Sequence, residues 1–174
     1  MKKLIFTIIS LLISLSSHAQ MQLKDFINKI DWSSTESGFV YNFYHYLEPC
    51  EREIWTEENS ESNFILKNIL VEDFSIINTS HVRVSQYTKK LYRLNLIFME
   101  NNDMNIEKAE KIIASLHKNF GEPIKKEVVR SQFIDNISTT MKWETYDYTM
   151  ELYYNYSPNK GVTALVVSLE PYKF

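Results

Sequence analysis

One cysteine, Cys50, stands in 174 residues, so no intramolecular disulfide can staple the fold and cohesion must come from a hydrophobic core. Glycine and proline are scarce, at 3 and 4 residues, which excludes a collagen-like or low-complexity chain. The three glycines are isolated, so no glycine-rich phosphate loop is present. Basic stripes are missing too. The 19 Lys and Arg are scattered among 22 Asp and Glu for a formal net charge of −3, whereas a phosphate backbone selects clustered cations, so the sequence argues against a nucleic-acid partner. Neither HExxH nor CxxC spacing occurs. His45, Glu48, Cys50 and Glu51 therefore read as an acidic connection rather than a metal site, and no cofactor is implied.

What the chain has in quantity is aromatic surface: 11 Tyr, 10 Phe and 3 Trp, which favour strands and supply large buried areas. Its start has the form of an export signal. Lys2 and Lys3 precede an uncharged apolar run over residues 4–15, and Ser16-Ser17-His18-Ala19 supplies small residues before Gln20. A run of that length is short of the roughly 20 residues that span a bilayer, and no later stretch approaches it, so no membrane span is expected after cleavage. Removing residues 1–19 leaves 155 of the 174, one domain over 20–174, and takes the formal charge from −3 to −5 with the loss of Lys2 and Lys3. The expected location is periplasmic or secreted, and the expected product soluble. A lipid anchor would need a cysteine at the cleavage site, and Cys50 lies far downstream.

Leu23, Phe26, Ile27 and Ile30 recur on one helix face, with Trp32 next as a staple onto the core. Ser33 and Glu36 have the spacing of a capping box for a second helix. Its buried stripe would be Phe39, Val40, Phe43 and Leu47, and Pro49 would end it. Gly38 weakens that helix by about 1 kcal/mol relative to alanine. Segments 64–71, 74–84 and 87–99 are rich in β-branched and aromatic residues and read as strands, and Asn101-Asn102-Asp103 can cap the next element. Over 105–120 an apolar stripe of Ile106, Ala109, Ile113, Leu116 and Phe120 defines a third helix, stopped by Gly121 and Pro123. Strands at 124–134, 137–145, 149–156 and 162–170 complete an α+β pattern: an antiparallel sheet with helices on one face, in two helix-then-strands units.

Leu116, Phe120-Gly121-Glu122-Pro123, Trp143 and the amphipathic strand over 150–156 together resemble the β-lactamase-inhibitor-protein-like and outer-membrane-assembly-lipoprotein-like modules of bacteria. The resemblance covers about half the chain and implies a non-catalytic module whose sheet or loops grip another protein. The chain departs from the lipoproteins in lacking their modified cysteine and from the inhibitors in lacking their internal disulfides.

Chemistry-bearing residues form no legible constellation. Acids around Cys50 raise a thiol's pKa rather than activate it, and nothing among 22 carboxylates marks a catalytic pair. Aromatics are the remaining candidates. Tyr41 falls opposite the apolar stripe of the second helix and Tyr153 on the polar face of its strand, positions where tyrosine serves interfaces. Glu57 and Glu58, in the acidic 48–61 segment, suit a charged rim. The sequence thus points to an exported binding protein that recognises a protein or envelope component, with a small envelope hydrolase as the alternative.

The processing step has a direct check. N-terminal sequencing of the exported protein is expected to begin at Gln20, and an intact Met1 in the soluble mature fraction would overturn the cleavage assignment.

Overall fold

The computed structural model describes residues 20–49, 59–72, 74–85, 88–98, 105–131 and 135–172. A two-residue strand β1 (Met21–Gln22) leads into helices α1 (Leu23–Asn28) and α2 (Glu36–Phe43) and a short strand β2 (Leu47–Pro49). Strands β3 (Asn59–Val71), β4 (Phe74–Ser85) and β5 (Leu91–Ile97) come next, then α3 (Ile106–Phe120). The chain ends with β6 (Lys125–Arg130), β7 (Ile137–Glu144), β8 (Tyr148–Ser157) and β9 (Gly161–Pro171). The nine strands among the described residues form one sheet in the order β1-β3-β4-β5-β9-β8-β7-β6, with β2 pairing β3 on the edge it shares with β1. Of these pairings only that of β1 is parallel. The α+β expectation, an antiparallel sheet with helices, describes this fold. Each half forms a meander that runs from an outer edge to the middle, and β5 and β9 join the two.

Cross-strand register shows how the core is made. Val82, Leu94, Leu169, Met150 and Trp143 are successive partners in one row, and Leu96, Val167, Leu152 and Met141 in the next. Directly opposed residues share a face, so the apolar residues buried along the strands all point to one side of the sheet. That side is covered by the helices, through Phe26, Phe39 and Phe43, whose rings meet 4.8–6.5 Å apart, and through Ala109, Ile112 and Leu116 of α3. Register shifts interrupt the alternation at three places: between Leu66 and Ile69, between Arg83 and Val84 where β4 meets β5, and between Asn155 and Tyr156 where β8 meets β9. At each one the buried series steps by three rather than two, from Leu66 to Ile69, from Leu91 to Leu94 and from Val162 to Leu165. The extra residue of each bulge restores the phase that keeps the next apolar side chain on the covered side.

Helix α3 lies within one residue of its expected limits and is capped as its sequence suggests at the far end. Gly121 takes a positive φ of 77° and its amide donates to the His117 carbonyl. The cap at the other end is Asn105, whose side chain accepts from the Lys108 amide at 2.8 Å; Asn101, Asn102 and Asp103 lie outside the described residues. The buried stripe is rotated from the expected one. Ala109, Ile112, Ser115 and Leu116 are buried, Ile113 and Phe120 are half-buried, and Ile106 is exposed. Two adjacent isoleucines left the choice of face open to the sheet, which takes Ile112.

The second helix departs further from expectation. Thr35, not Ser33, is its N-cap, accepting from the Gly38 amide at 3.2 Å. Ser33 instead donates through its amide and hydroxyl to Asp31 Oδ1, which holds that carboxyl below its ordinary value and forms a turn ahead of the helix. The helix also stops at Phe43, before Leu47. Leu47 sits opposite Leu66 in β2, where an edge of β3 supplies hydrogen bonds, and Lys67 donates to the Tyr46 carbonyl. Phe43 and Leu47 are both buried, so the apolar spacing fits a helix or a turn into a strand alike, and the free edge of β3 decides.

The packing of α3 fixes the cost of two substitutions. Leu116 is 1% exposed, so Leu116→Ala should cost about 2–5 kcal/mol in denaturant unfolding. Lys111→Ala, which removes a surface pair with Glu107, should cost about 0.5 kcal/mol or less. Equal costs would place the wrong face of α3 against the sheet.

Tyr148 makes the fold sensitive to alkali. Its ring is buried, its hydroxyl donates to Asn28 Oδ1 at 3.1 Å, and burial, with the nearby Asp147 charge, pushes its pKa up from 10.0 to about 12. The folded state therefore holds the phenolic proton more tightly than the unfolded chain. This contribution is fully present below pH 10 and is lost as pH rises toward 12, by on the order of 2–3 kcal/mol. Tyr148→Phe should lose about 0.5–1.5 kcal/mol at neutral pH, yet show a shallower decline than the parent protein when unfolding is compared at about pH 9 and about pH 11.

Candidate functional site

Two surfaces have distinctive chemistry: the sheet face turned away from the helices, and a groove beside α3.

On the open face, Ile65, position 79, Ile97, Val166, Tyr153 and Thr140 are successive cross-strand partners, one row that crosses six strands. Ile65, Ile97 and Val166 are half-buried by their neighbours, and Tyr153 is 38% exposed. Tyr153 is positioned by polar neighbours: Asn155 Nδ2 donates to its hydroxyl at 3.3 Å, and Ser138 Oγ lies 3.4 Å from the same atom. Charged pairs stand to one side of this row. Arg93 bonds Glu170 across β5 and β9, and Lys142 bonds Glu144 at 2.9 Å, a contact that raises the lysine's pKa. The helices cover the other side of the sheet, and among the described residues no helix packs on this one.

The structure separates the two tyrosines singled out in the sequence. Tyr41 is 79% exposed on α2, on the helix-covered side, whereas Tyr153 lies on the open face. Tyr41 has a different neighbourhood, the C-terminal end of α2, where the ring of exposed Tyr44 tilts against His45 with centroids 3.7 Å apart. Glu57, Glu58 and Cys50 lie outside the described residues. Of the donors weighed for a metal, His45 and Glu48 are exposed and Glu51 also lies outside; no group of three metal-binding side chains occurs among the described residues. No helix among the described residues is long and apolar enough to cross a membrane.

The groove was not legible from the sequence. It is an open groove of about 610 Å³ lined by β1 and α1, by α3 and by Glu72 of the β3–β4 turn. Its lining is polar. Lys111, Ser115, Lys118 and Asn119 come from one side of α3, and Gln22, Lys24 and Asp25 from the facing segment. Glu72 has a φ of 57°, a left-handed conformation that is uncommon for a residue with a side chain. It is held from two directions: Gln22 Nε2 donates to its carbonyl at 3.0 Å, and Lys118 Nζ meets its carboxylate at 3.1 Å. The spacing 111, 115, 118 and 119 is the only sequence trace of this surface, and it reads as an ordinary wet helix face until β1 and Glu72 are brought opposite.

The motif that carried the family resemblance is joined in space. Trp143, 2% exposed, donates from Nε1 to the Gly121 carbonyl at 2.8 Å, and its ring meets His117 edge-on at 5.7 Å. The helix stop and the strand aromatic are therefore one contact, not two independent features. Compared with known protein families, curated proteins and solved structures, the chain matches none.

Proposed function

We propose that this chain is an exported, non-catalytic binding module, and that its partner is a protein seated on the open face of the sheet around Tyr153. The observation that carries this reading is the cross-strand row from Ile65 to Thr140. It sets three aliphatic residues and two threonines around one positioned tyrosine, with charged pairs beside them, the core-and-rim arrangement of protein interfaces. The Arg93–Glu170 and Lys142–Glu144 pairs cancel within themselves, so the face offers nothing to a polyanion and favours a partner with mixed polar and apolar surface. Eight strands abreast, at about 4.8 Å each, make a platform roughly 35 Å wide, ample for the ~800 Å² per partner of a standard interface. The resemblance to inhibitor-like and assembly-lipoprotein-like modules, carried by Leu116, Phe120-Gly121-Glu122-Pro123, Trp143 and the strand after it, supports the same class of function. The signal-like start supports export to the periplasm or cell exterior.

The test is affinity capture from an envelope extract with mass-spectrometric identification, and then binding of the identified protein to variants. Tyr153→Ala should weaken binding by more than about 1 kcal/mol with the melting temperature nearly unchanged. Tyr41→Ala, on the other side of the molecule, should leave that affinity intact. Loss of binding with Tyr41→Ala alone would move the interface to the helix side and sink the open-face reading.

A further inference from the structure

We propose that the outer edge of β6 receives an acidic, extended segment of another polypeptide, which joins the sheet as a further antiparallel strand. The two edges of the sheet are unlike. The chain itself covers the β3 edge with β1 and β2, whereas β6 is the last strand at its end and no described residue pairs its outer side. Backbone geometry sets which groups face outward. Ser131 donates its amide to the Asn136 carbonyl at 3.0 Å and continues the register that pairs Lys125 with Lys142 and Arg130 with Ile137. Bonded and non-bonded pairs alternate along an antiparallel ladder, so Glu127 and Val129 turn their N–H and C=O to β7, and Lys126, Val128 and Arg130 turn theirs away. Ile124 turns its amide inward, to the Lys142 carbonyl at 2.8 Å, so the outward row runs from Lys126 to Arg130.

The side chains set what kind of strand fits. Lys126 and Val128 lie opposite Met141 and Thr139, both buried, so Lys126, Val128 and Arg130 point to the helix-covered side of the sheet. Val128 is nevertheless 53% exposed, so the described helices stop short of β6 and leave an apolar position between two cations. Neither Lys126 nor Arg130 has an ion-pair partner among the described residues. An antiparallel strand centred on Val128 sets its alternate residues opposite Arg130, Val128 and Lys126, and acidic, apolar, acidic is the sequence that matches them. On the other side of β6, Lys125 already pairs with Glu127 at 3.4 Å and Val129 is exposed, which suits uncharged β-branched neighbours. Exposed aliphatics gather here as well: of Ile106, Ile124, Val128 and Val129, all but Ile106 belong to this edge. In strand addition the backbone bonds supply affinity and the alternate side chains supply specificity. Such a contact uses the backbone of β6, two strands from Tyr153, so it and the open-face reading can fail separately.

The peptide TETVTET, acetylated and amidated at its ends and titrated into ¹⁵N-labelled protein, should give saturable amide shifts centred on β6, with affinity in the millimolar range or tighter. At saturation the amides of Lys126, Val128 and Arg130 should exchange with solvent more slowly, because the added strand takes up their outward N–H groups. The peptide TKTVTKT should give no saturable shifts. N-methylation of the valine amide, which removes a bond to Val128, should weaken TETVTET by about tenfold or more, whereas N-methylation of the threonine before it, whose N–H points away, should change little. Lys126→Glu combined with Arg130→Glu should reverse the preference, so that TKTVTKT binds and TETVTET does not, with the melting temperature nearly unchanged. No saturable shifts up to about 10 mM, an equal response to TKTVTKT, or shifts without slowed exchange at Lys126, Val128 and Arg130 would overturn the proposal. The exchange and peptide comparisons use the parent protein, so they decide the matter even if the variant folds poorly.

Discussion

A nine-stranded sheet whose described helices all lie on one side has a single phase in which its apolar residues can be hidden, and the rest of this structure depends on keeping that phase. Strand side chains alternate with period two, so a slip of one residue would turn a whole strand's apolar set to the wrong face. Here the series breaks at Leu66 to Ile69, Leu91 to Leu94 and Val162 to Leu165, and at each break the ladder accommodates one extra residue. The bulges are thus demanded by the sequence, not imposed on it. They also increase local twist, which lets a wide sheet wrap a thin layer of short helices. α1 and α2 are too short to be stable alone and take their stability from packing Phe26, Phe39 and Phe43 over the sheet.

Helix α3 carries the chain from β5, in the middle of the sheet, to β6 at its far edge. Its direction is set at its end. Gly121 turns the chain with a positive φ, and the same residue's carbonyl accepts from Trp143 on the second strand of the returning meander. A buried indole N–H needs a partner, and a helix C-terminus has carbonyls to spare, so one bond satisfies both groups. Trp32 is the contrast. Its ring tilts against Tyr148 at 6.4 Å, but its Nε1 is buried with no partner among the described residues, so it serves as an apolar wedge at the cost of an unsatisfied donor.

How much of this could be read beforehand depends on which signals are local. The strands and α3 were legible because their apolar periods repeat several times within one element. The end of α2 was not, because Phe43 and Leu47 fit a helical step and a strand entry equally, and the hydrogen-bonding edge of β3 that settles the matter comes from residues some twenty positions away. The choice of Ile112 over Ile113 likewise belongs to the sheet. For the site, local exposure was readable and proximity was not: Tyr41 and Tyr153 are both exposed, as their positions implied, yet lie on opposite sides of the molecule. The groove needed Gln22, Glu72 and Lys118 side by side, and nothing in their spacing announces that.

A sheet face that no described helix covers makes the edges of the sheet matter, because an open edge invites pairing with a second copy. β6 is fully exposed along its length and could add another strand, but Lys126 and Arg130 flank Val128 on one face, while Lys125 on the other face pairs with Glu127 at 3.4 Å. In an antiparallel pairing of two copies of β6 that sets Val128 against Val128, side chains on the same face align, so Lys126 of one copy falls opposite Arg130 of the other. Like charges directly opposed destabilise that pairing, which is how natural sheets guard their edges. At the other edge, β1 and β2 cover parts of β3. With edge pairing of two copies disfavoured, the partner proposed for the open face would meet side chains there, a contact that depends on complementary shape and chemistry rather than on generic backbone hydrogen bonds. A guarded edge beside a half-apolar face is the combination that allows a sheet to be selective about what it binds.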